Sequence, residues 1–233
     1  MRSLYSLLPL FFIYPASCLA AEDKGGFSLG ATRVIYNENH KEASFTVINT
    51  AENVSFLAQS WVSPYKEGVN NTKPPFIITP PLYRQDVGKN TLRIVRSGGD
   101  LPTDRESAFW LNVKAIPSSV KPTEKSNSLS FAYVLRIKLF YRPVGIKGDA
   151  SNAYKQLTFS RQGDKLIASN PTPYHITLNK VSIGGKEIKD VTAMVPPLSE
   201  QSYKLPASGV GSKVIYKAVN DMGGITTEQI KSL

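Results

Sequence analysis

Histidine and cysteine are scarce: the 233 residues include two histidines, His40 and His175, and one cysteine, Cys18. Neither histidine has a nucleophile, metal-ligand spacing or a glycine-rich phosphate loop beside it. No catalytic residue and no metal ligand is therefore expected. His40, in Asn37-Glu38-Asn39-His40, reads as a surface turn, and His175 as the start of a strand. The cysteine lies in a segment expected to be removed by cleavage near Ala20 or Ala21. Arg2, the apolar run from Leu4 to Tyr14 and the small residues around Cys18-Leu19-Ala20-Ala21 follow the order of a secretory signal peptide, assigned here to residues 1–21. The run is too short to cross a hydrocarbon layer of ~30 Å as a helix, so no membrane insertion is expected. Lipid attachment at Cys18 is disfavoured, because Pro15-Ala16-Ser17 lacks the aliphatic residue usual three places before such a cysteine. A mature chain without cysteine has no disulfide and no thiolate chemistry, and its fold must stand on its core.

Sustained helical periodicity is missing too. Short β-rich runs recur instead between clusters of Gly, Pro, Asn and Asp, the pattern of sandwich proteins, so the chain reads as all-β. In the first half the candidate strands are 27–36, 42–49, 55–62, 76–79, 91–96, 108–116 and 129–141. Alternation is clean through Ala43, Phe45 and Val47 and through Phe109, Leu111 and Val113. A second set follows at 156–160, 165–169, 175–183, 202–205, 213–219 and 225–230, with turn chemistry at Gln162-Gly163-Asp164 and Gly184-Gly185. Between the sets, Pro143 stops a long strand, and Gly145 and Gly148 relax the backbone. The expected organisation is a first immunoglobulin-like domain over 22–143, a hinge at 144–148 and a second over 149–233, each a seven-strand-like sandwich.

The formal net charge of +10 is spread along strands and turns, with no basic block. Together with the export signal, this argues against nucleic acid as a partner.

The run from Leu129 to Tyr141 is longer than the usual strand of ~5–6 residues and places Leu129, Phe131, Tyr133, Leu135 and Ile137 on one face. An ordinary core strand would look the same. The alternative is that Leu129 to Tyr133 lies at a sheet edge and pairs with another chain, since an unprotected apolar edge is an aggregation hazard that a partner must cover.

Four segments carry a family resemblance: Asp104-Arg105-Glu106-Ser107, Ile137 through Pro143, Asn170-Pro171-Thr172-Pro173-Tyr174, and Asn220-Asp221-Met222-Gly223-Gly224. Together they resemble the periplasmic assembly chaperones of the chaperone–usher pathway, over nearly the whole mature chain. The short segment from Pro117 to Ser128 and the lack of a cysteine pair resemble the short-loop subclass. The resemblance implies two immunoglobulin-like sandwiches in a boomerang arrangement, a periplasmic location, fimbrial subunits and an outer-membrane usher as partners, and no cofactor. It also leaves self-association of the free chain open.

Residue by residue, the resemblance implies that Arg33 and Lys138 hold the C-terminal carboxylate of a bound subunit and that Leu129, Phe131 and Tyr133 form the donated strand. It further implies that Glu106, Arg142 and Asp221 make an ionic bridge between domains. Strict alternation puts Lys138 on the face opposite Leu129, Phe131 and Tyr133, so a bulge, a twist or a shared rim must reconcile the two roles. The competing reading is a secreted immunoglobulin-like adhesin or carbohydrate-binding module. Such a module would show aromatic platforms on loops, whereas Trp61 and Trp110 lie within strand patterns and read as core.

Overall fold

The computed structural model describes residues 25–66, 73–118, 131–206 and 211–233, so the expected signal segment and Leu129 lie outside the described residues. Nine strands precede the hinge: β1 (Phe27–Leu29), β2 (Arg33–Asn37), β3 (Glu42–Asn49), β4 (Phe56–Pro64), β5 (Phe76–Thr79), β6 (Leu82–Gln85), β7 (Gly88–Arg96), β8 (Ser107–Pro117) and β9 (Tyr133–Arg142). They form a four-stranded sheet, β1-β3-β7-β5, facing a five-stranded sheet, β2-β9-β8-β4-β6. Inward residues of both sheets meet in one core: Phe45 and Val47 from β3, Leu92 and Ile94 from β7, Leu111 and Val113 from β8, and Leu139 and Tyr141 from β9. Each such side chain, fully buried, contributes roughly 1.5–3 kcal/mol.

After the hinge, a one-turn helix α1 (Ala150–Ala153) is capped by Asp149, whose Oδ1 accepts from the Ser151 amide at 2.8 Å. Seven strands follow: β10 (Thr158–Gln162), β11 (Lys165–Asn170), β12 (Thr177–Ile183), β13 (Lys186–Glu187), β14 (Ser199–Lys204), β15 (Lys213–Val219) and β16 (Gln229–Ser232). A three-stranded sheet, β10-β11-β14, packs on a four-stranded one, β13-β12-β15-β16. Their core includes Leu166, Ala168, Val181, Ile183, Val214 and Tyr216. Ile183 pairs with Lys186 across a two-residue turn in which Gly184 and Gly185 both have positive φ, the conformation a tight hairpin needs.

Several expectations are corrected. The single strand expected over 27–36 is two strands in different sheets: β1 runs antiparallel to β3, and β2 runs parallel to β9. The chain crosses between sheets at Gly30, which comes so close to β3 that a Cβ there would sit 3.2 Å from the Thr46 side chain. With that split and the unexpected β6, the first sandwich has nine strands among the described residues, not seven. The strand expected from Gln156 begins at Thr158, because Tyr154–Gln156 forms a 3-10 turn. Trp61 and Trp110 lie within strands but not in the core. Both face outward from the five-stranded sheet, where Trp110 stacks on Tyr65 at 4.9 Å and lies under the Arg136 guanidinium at 5.4 Å.

Candidate functional site

The site arises from a mismatch of strand lengths. On one side, β8 accompanies β9 from Tyr133 to Tyr141 without interruption. On the other side, β2 accompanies it only from Lys138 to Arg142. Upstream of Arg33 the chain has crossed to the other sheet, so the β9 edge from Tyr133 to Ile137 has no pairing strand among the described residues. Its backbone amides and carbonyls line an open slot, in line with β2.

Arg33 and Lys138 stand where the slot ends. They are register partners in the parallel pair, so both side chains leave the same face of the sheet, toward the second domain. Lys138 Nζ donates to Thr177 Oγ1 at 3.2 Å; Arg33 Nη1 reaches the same oxygen at 3.5 Å and the Val219 carbonyl at 3.3 Å. Both acceptors belong to the second domain, and neither is charged. Among the described residues, neither cation makes an ion pair, and Arg33 Nε is buried without an acceptor. Burial, aided by repulsion from Arg33, pulls the Lys138 ammonium down to about 8. Burial also lowers Arg33, against the opposing pull of Asp221 and Glu106. Two partly desolvated cations sharing one neutral hydroxyl form an arrangement suited to an anion. The arrangement suits a carboxylate, which accepts from both groups at once.

A few residues further along β9, Arg142 joins the domains. Its Nε donates to Glu106 Oε1 at 2.7 Å and its Nη1 to Asp221 Oδ2 at 2.8 Å, while its guanidinium lies 5.2 Å from the Tyr174 ring centre. Glu106 is almost fully buried, so the planar Arg142 fork is its charge partner in a place that water does not reach. The second Glu106 oxygen accepts from the His175 amide at 2.8 Å, and the Glu106 amide donates to the Pro173 carbonyl at 2.9 Å. Residue-by-residue reading of the sequence misses this contribution. The Asn170-to-Tyr174 segment is tied down by the buried Asn170 side chain, which donates to Tyr174 O at 2.7 Å and accepts from the Thr172 amide at 3.0 Å. The motif thus presents its backbone to Glu106.

The expected conflict between Lys138 and the donor face has a simple geometry. The β8–β9 register carries no bulge, so alternation holds throughout. Tyr133, Leu135 and Ile137 lean toward the core, and Lys138 points to the other side; the open edge itself is the rim they share. Phe131 precedes β9 and is 71% exposed. Tyr133, the first residue of β9, packs its ring edge-on against Phe27 and Phe56 at 6.4 and 6.5 Å. The structure therefore brings Arg33 and Lys138 together, and Glu106, Arg142 and Asp221 together, and leaves Phe131 beyond the last paired residue of the sheet.

A two-sandwich binding protein, with an anion site at the end of an unpaired strand edge, is the class that fold and site define. Comparison with known proteins makes it specific. The family model described as the PapD N-terminal domain of pili and flagellar-assembly chaperones matches residues 26–147, and that of the pili assembly chaperone PapD C-terminal domain matches residues 152–230. The probable fimbrial chaperone LpfB of Escherichia coli O157:H7 is 46% identical over 226 residues, covering 96% of this chain and 94% of the relative. Among solved structures, the SafB chaperone of Salmonella enterica, in complex with the SafA pilin, superposes with a TM-score of 0.80 at 33% identity, over 89% of this chain and 96% of that one. The E. coli chaperone DraB does so with a TM-score of 0.78 at 37% identity, over 90% and 98%. The chain belongs to the PapD family of pili assembly chaperones.

Proposed function

We propose that this chain is a periplasmic chaperone that captures fimbrial subunits by pairing the open edge of β9 with a strand of the subunit, and that it delivers them to an outer-membrane usher. It is not an enzyme, and the adhesin reading is not favoured. The observation that carries the proposal is the coincidence of the unpaired Tyr133–Ile137 edge with the two cations at its end. SafB is recorded with a pilin bound, a partner of the kind this edge fits. Chaperone–pilin strand donation is itself a recognised example of β-augmentation.

The geometry supports one polarity. A segment whose terminal carboxylate sits at Arg33 and Lys138, and whose preceding residues lie beside Ile137, Leu135 and Tyr133, runs in the same direction as β9. It occupies the line of β2 on the far side of the cation pair, as a parallel neighbour. Anchoring the terminus sets the register, because a slip of one residue would reverse every side chain of the pair. Charge-assisted hydrogen bonds contribute about 1.5–3 kcal/mol each. Upstream, Phe131 and Leu129 supply apolar side chains to the subunit at alternate positions, with Tyr133 at the rim. Glu106, Arg142 and Asp221 hold the two domains so that the cations keep their place.

The test is co-purification from the periplasm of tagged wild-type chain and of Lys138→Ala with the fimbrial subunits encoded beside it. Loss of a stoichiometric subunit from a folded Lys138→Ala chain is the expected result. Undiminished capture by the variant would refute the anchor, and absence of any subunit from the wild type would return the adhesin reading to the front.

A further inference from the structure

The turn from Asn220 to Ile225 carries two exposed apolar side chains that neither the fold nor the anchor uses: Met222 is 92% exposed and Ile225 61%. Single exposed apolar residues are ordinary on a protein surface. These two differ in what holds them and in where they stand. Asn220 Oδ1 accepts from the amides of Met222 at 3.1 Å and Gly224 at 2.8 Å, and the Asn220 amide donates to Gly224 O at 2.9 Å. Asp221 is fastened to Arg142 of the first domain. Ile225 bridges to Val219, whose carbonyl accepts from Arg33. Gly223, at φ 85°, approaches Thr32 so closely that a Cβ there would fall 2.5 Å from Thr32 Oγ1.

Thr32 fixes the location. It precedes Arg33, and Arg33 is the first residue of β2 and faces Lys138, so Thr32 lies on the slot side of the cation pair. A turn packed on Thr32 flanks the path of whatever enters the slot. The turn belongs to the second domain, yet it is braced against the first at Thr32, Arg33 and Arg142.

We infer that Met222 and Ile225 form a second subunit-docking contact, an apolar patch of the C-terminal domain that grips the fimbrial subunit beside its anchored terminus. The inference rests on the subunit-binding reading above, since the occupant is the same subunit and the patch is continuous with the anchor. The matching surface is apolar and lies next to the subunit's last strand. An unbranched, polarisable methionine fits surfaces of varied shape, so the patch tolerates several subunits while still rejecting a charged one.

The experiment compares the chain with Met222→Glu/Ile225→Glu, with Met222→Leu/Ile225→Leu and with Lys138→Ala, each co-produced with the fimbrial subunit encoded beside it. The subunit-to-chain ratio and the dissociation constant are read, with thermal unfolding of the free chains as a control. The glutamate pair is expected to weaken binding by about tenfold, equivalent to about 1.4 kcal/mol, and the leucine pair to retain it. Should the glutamate pair perturb folding, Met222→Ser/Ile225→Ser carries the same test with a smaller change. Wild-type affinity in the glutamate or serine pair, alongside loss of binding in Lys138→Ala, would overturn the docking contact and leave the anchor standing. A wild-type chain that captures no subunit would overturn both.

Discussion

Binding of a carboxylate at Arg33 and Lys138 should be coupled to proton uptake, and the coupling can be worked out from the environment of Lys138. In the free chain, burial and the neighbouring Arg33 pull its ammonium from an ordinary 10.5 to about 8. A bound carboxylate supplies the missing counter-charge and returns the group toward the ordinary value. Well below pH 8 the amine is protonated in both states, and affinity is flat. Above it, the free chain must take up a proton in order to bind: about half a proton at pH 8 and about nine-tenths at pH 9, for a free value of about 8. Affinity then falls toward tenfold per pH unit, about thirtyfold between pH 7 and 9.5, or about 2 kcal/mol where each tenfold is about 1.36 kcal/mol. The assay is isothermal titration of a peptide carrying the subunit's last strand with a free C-terminus, in buffers of different ionisation enthalpy, against the same peptide amidated. The amide should bind weakly and without the pH slope, and Lys138→Gln should abolish the slope for the free acid. A dissociation constant that is flat from pH 7 to 9.5, with no proton uptake, would refute the reasoning. The sign for folding of the free chain is opposite. Between about 8 and 10.5 the unfolded chain holds more protons at this lysine than the folded chain, so its contribution to stability rises with pH.

Removing Arg142 strands the buried Glu106, and Arg142→Ala should cost about 3–5 kcal/mol in urea unfolding; Glu106→Gln/Arg142→Met should recover much of it, and a single-variant loss below about 1 kcal/mol would count against a structural bridge. Thr177→Val removes the hydroxyl that accepts from both cations. It should weaken binding of the free-acid peptide about fivefold, roughly 1 kcal/mol for a hydrogen-bonding group, while Thr177→Ser keeps it; equal affinities in all three chains would dismiss the hydroxyl. Leu111→Ala opens the core between the two sheets of the first domain and should lower its stability by about 2–5 kcal/mol, read as a shifted denaturant midpoint with the second domain's transition unmoved.

What a sequence shows and what it hides divide along one line here. Period-two alternation reveals which face of a strand is apolar, and so the bounds of β3, β5 and β15 coincide with the segments expected at 42–49, 76–79 and 213–219. Alternation does not say which strand lies alongside. The apolar pattern therefore runs through Gly30 as if Phe27 to Tyr36 were one strand, although Phe27 faces β3 and Tyr36 lies beside β9. The same blindness makes Trp61 read as core: Phe56, Ala58 and Ser60 take the inward positions of β4, and Trp61 is left outside. β6, a strand not among those expected, follows Pro80 and Pro81 and places Leu82 on the edge of the five-stranded sheet. The site is legible only as a family motif. Glu106 meets the His175 amide across 69 residues and Arg142 meets Asp221 across 79, separations at which no local pattern carries information.

The split at Gly30 also explains why a chaperone of this design has two domains. Had β1 and β2 remained one strand beside β9, the edge would be fully paired and no partner strand could enter. Crossing to the other sheet leaves the slot and ends it at Arg33, but it also leaves Arg33 and Lys138 side by side with no ion-pair partner among the described residues. The second domain resolves this with neutral acceptors, Thr177 Oγ1 and Val219 O, which hold the cations without neutralising them. An aspartate at position 177 would hold them more firmly, yet it would compete with any incoming carboxylate, whereas a hydroxyl leaves the charge free to attract one. The acids that act on Arg33, Asp221 and Glu106, are both engaged by Arg142. Glu106→Gln should then disturb the anchor as well as the bridge, because Arg142 freed from one carboxylate adds a third incompletely paired cation beside Arg33. The observable is peptide affinity: Glu106→Gln should change it although Glu106 touches no part of the slot, and an unchanged dissociation constant would show that bridge and anchor act independently.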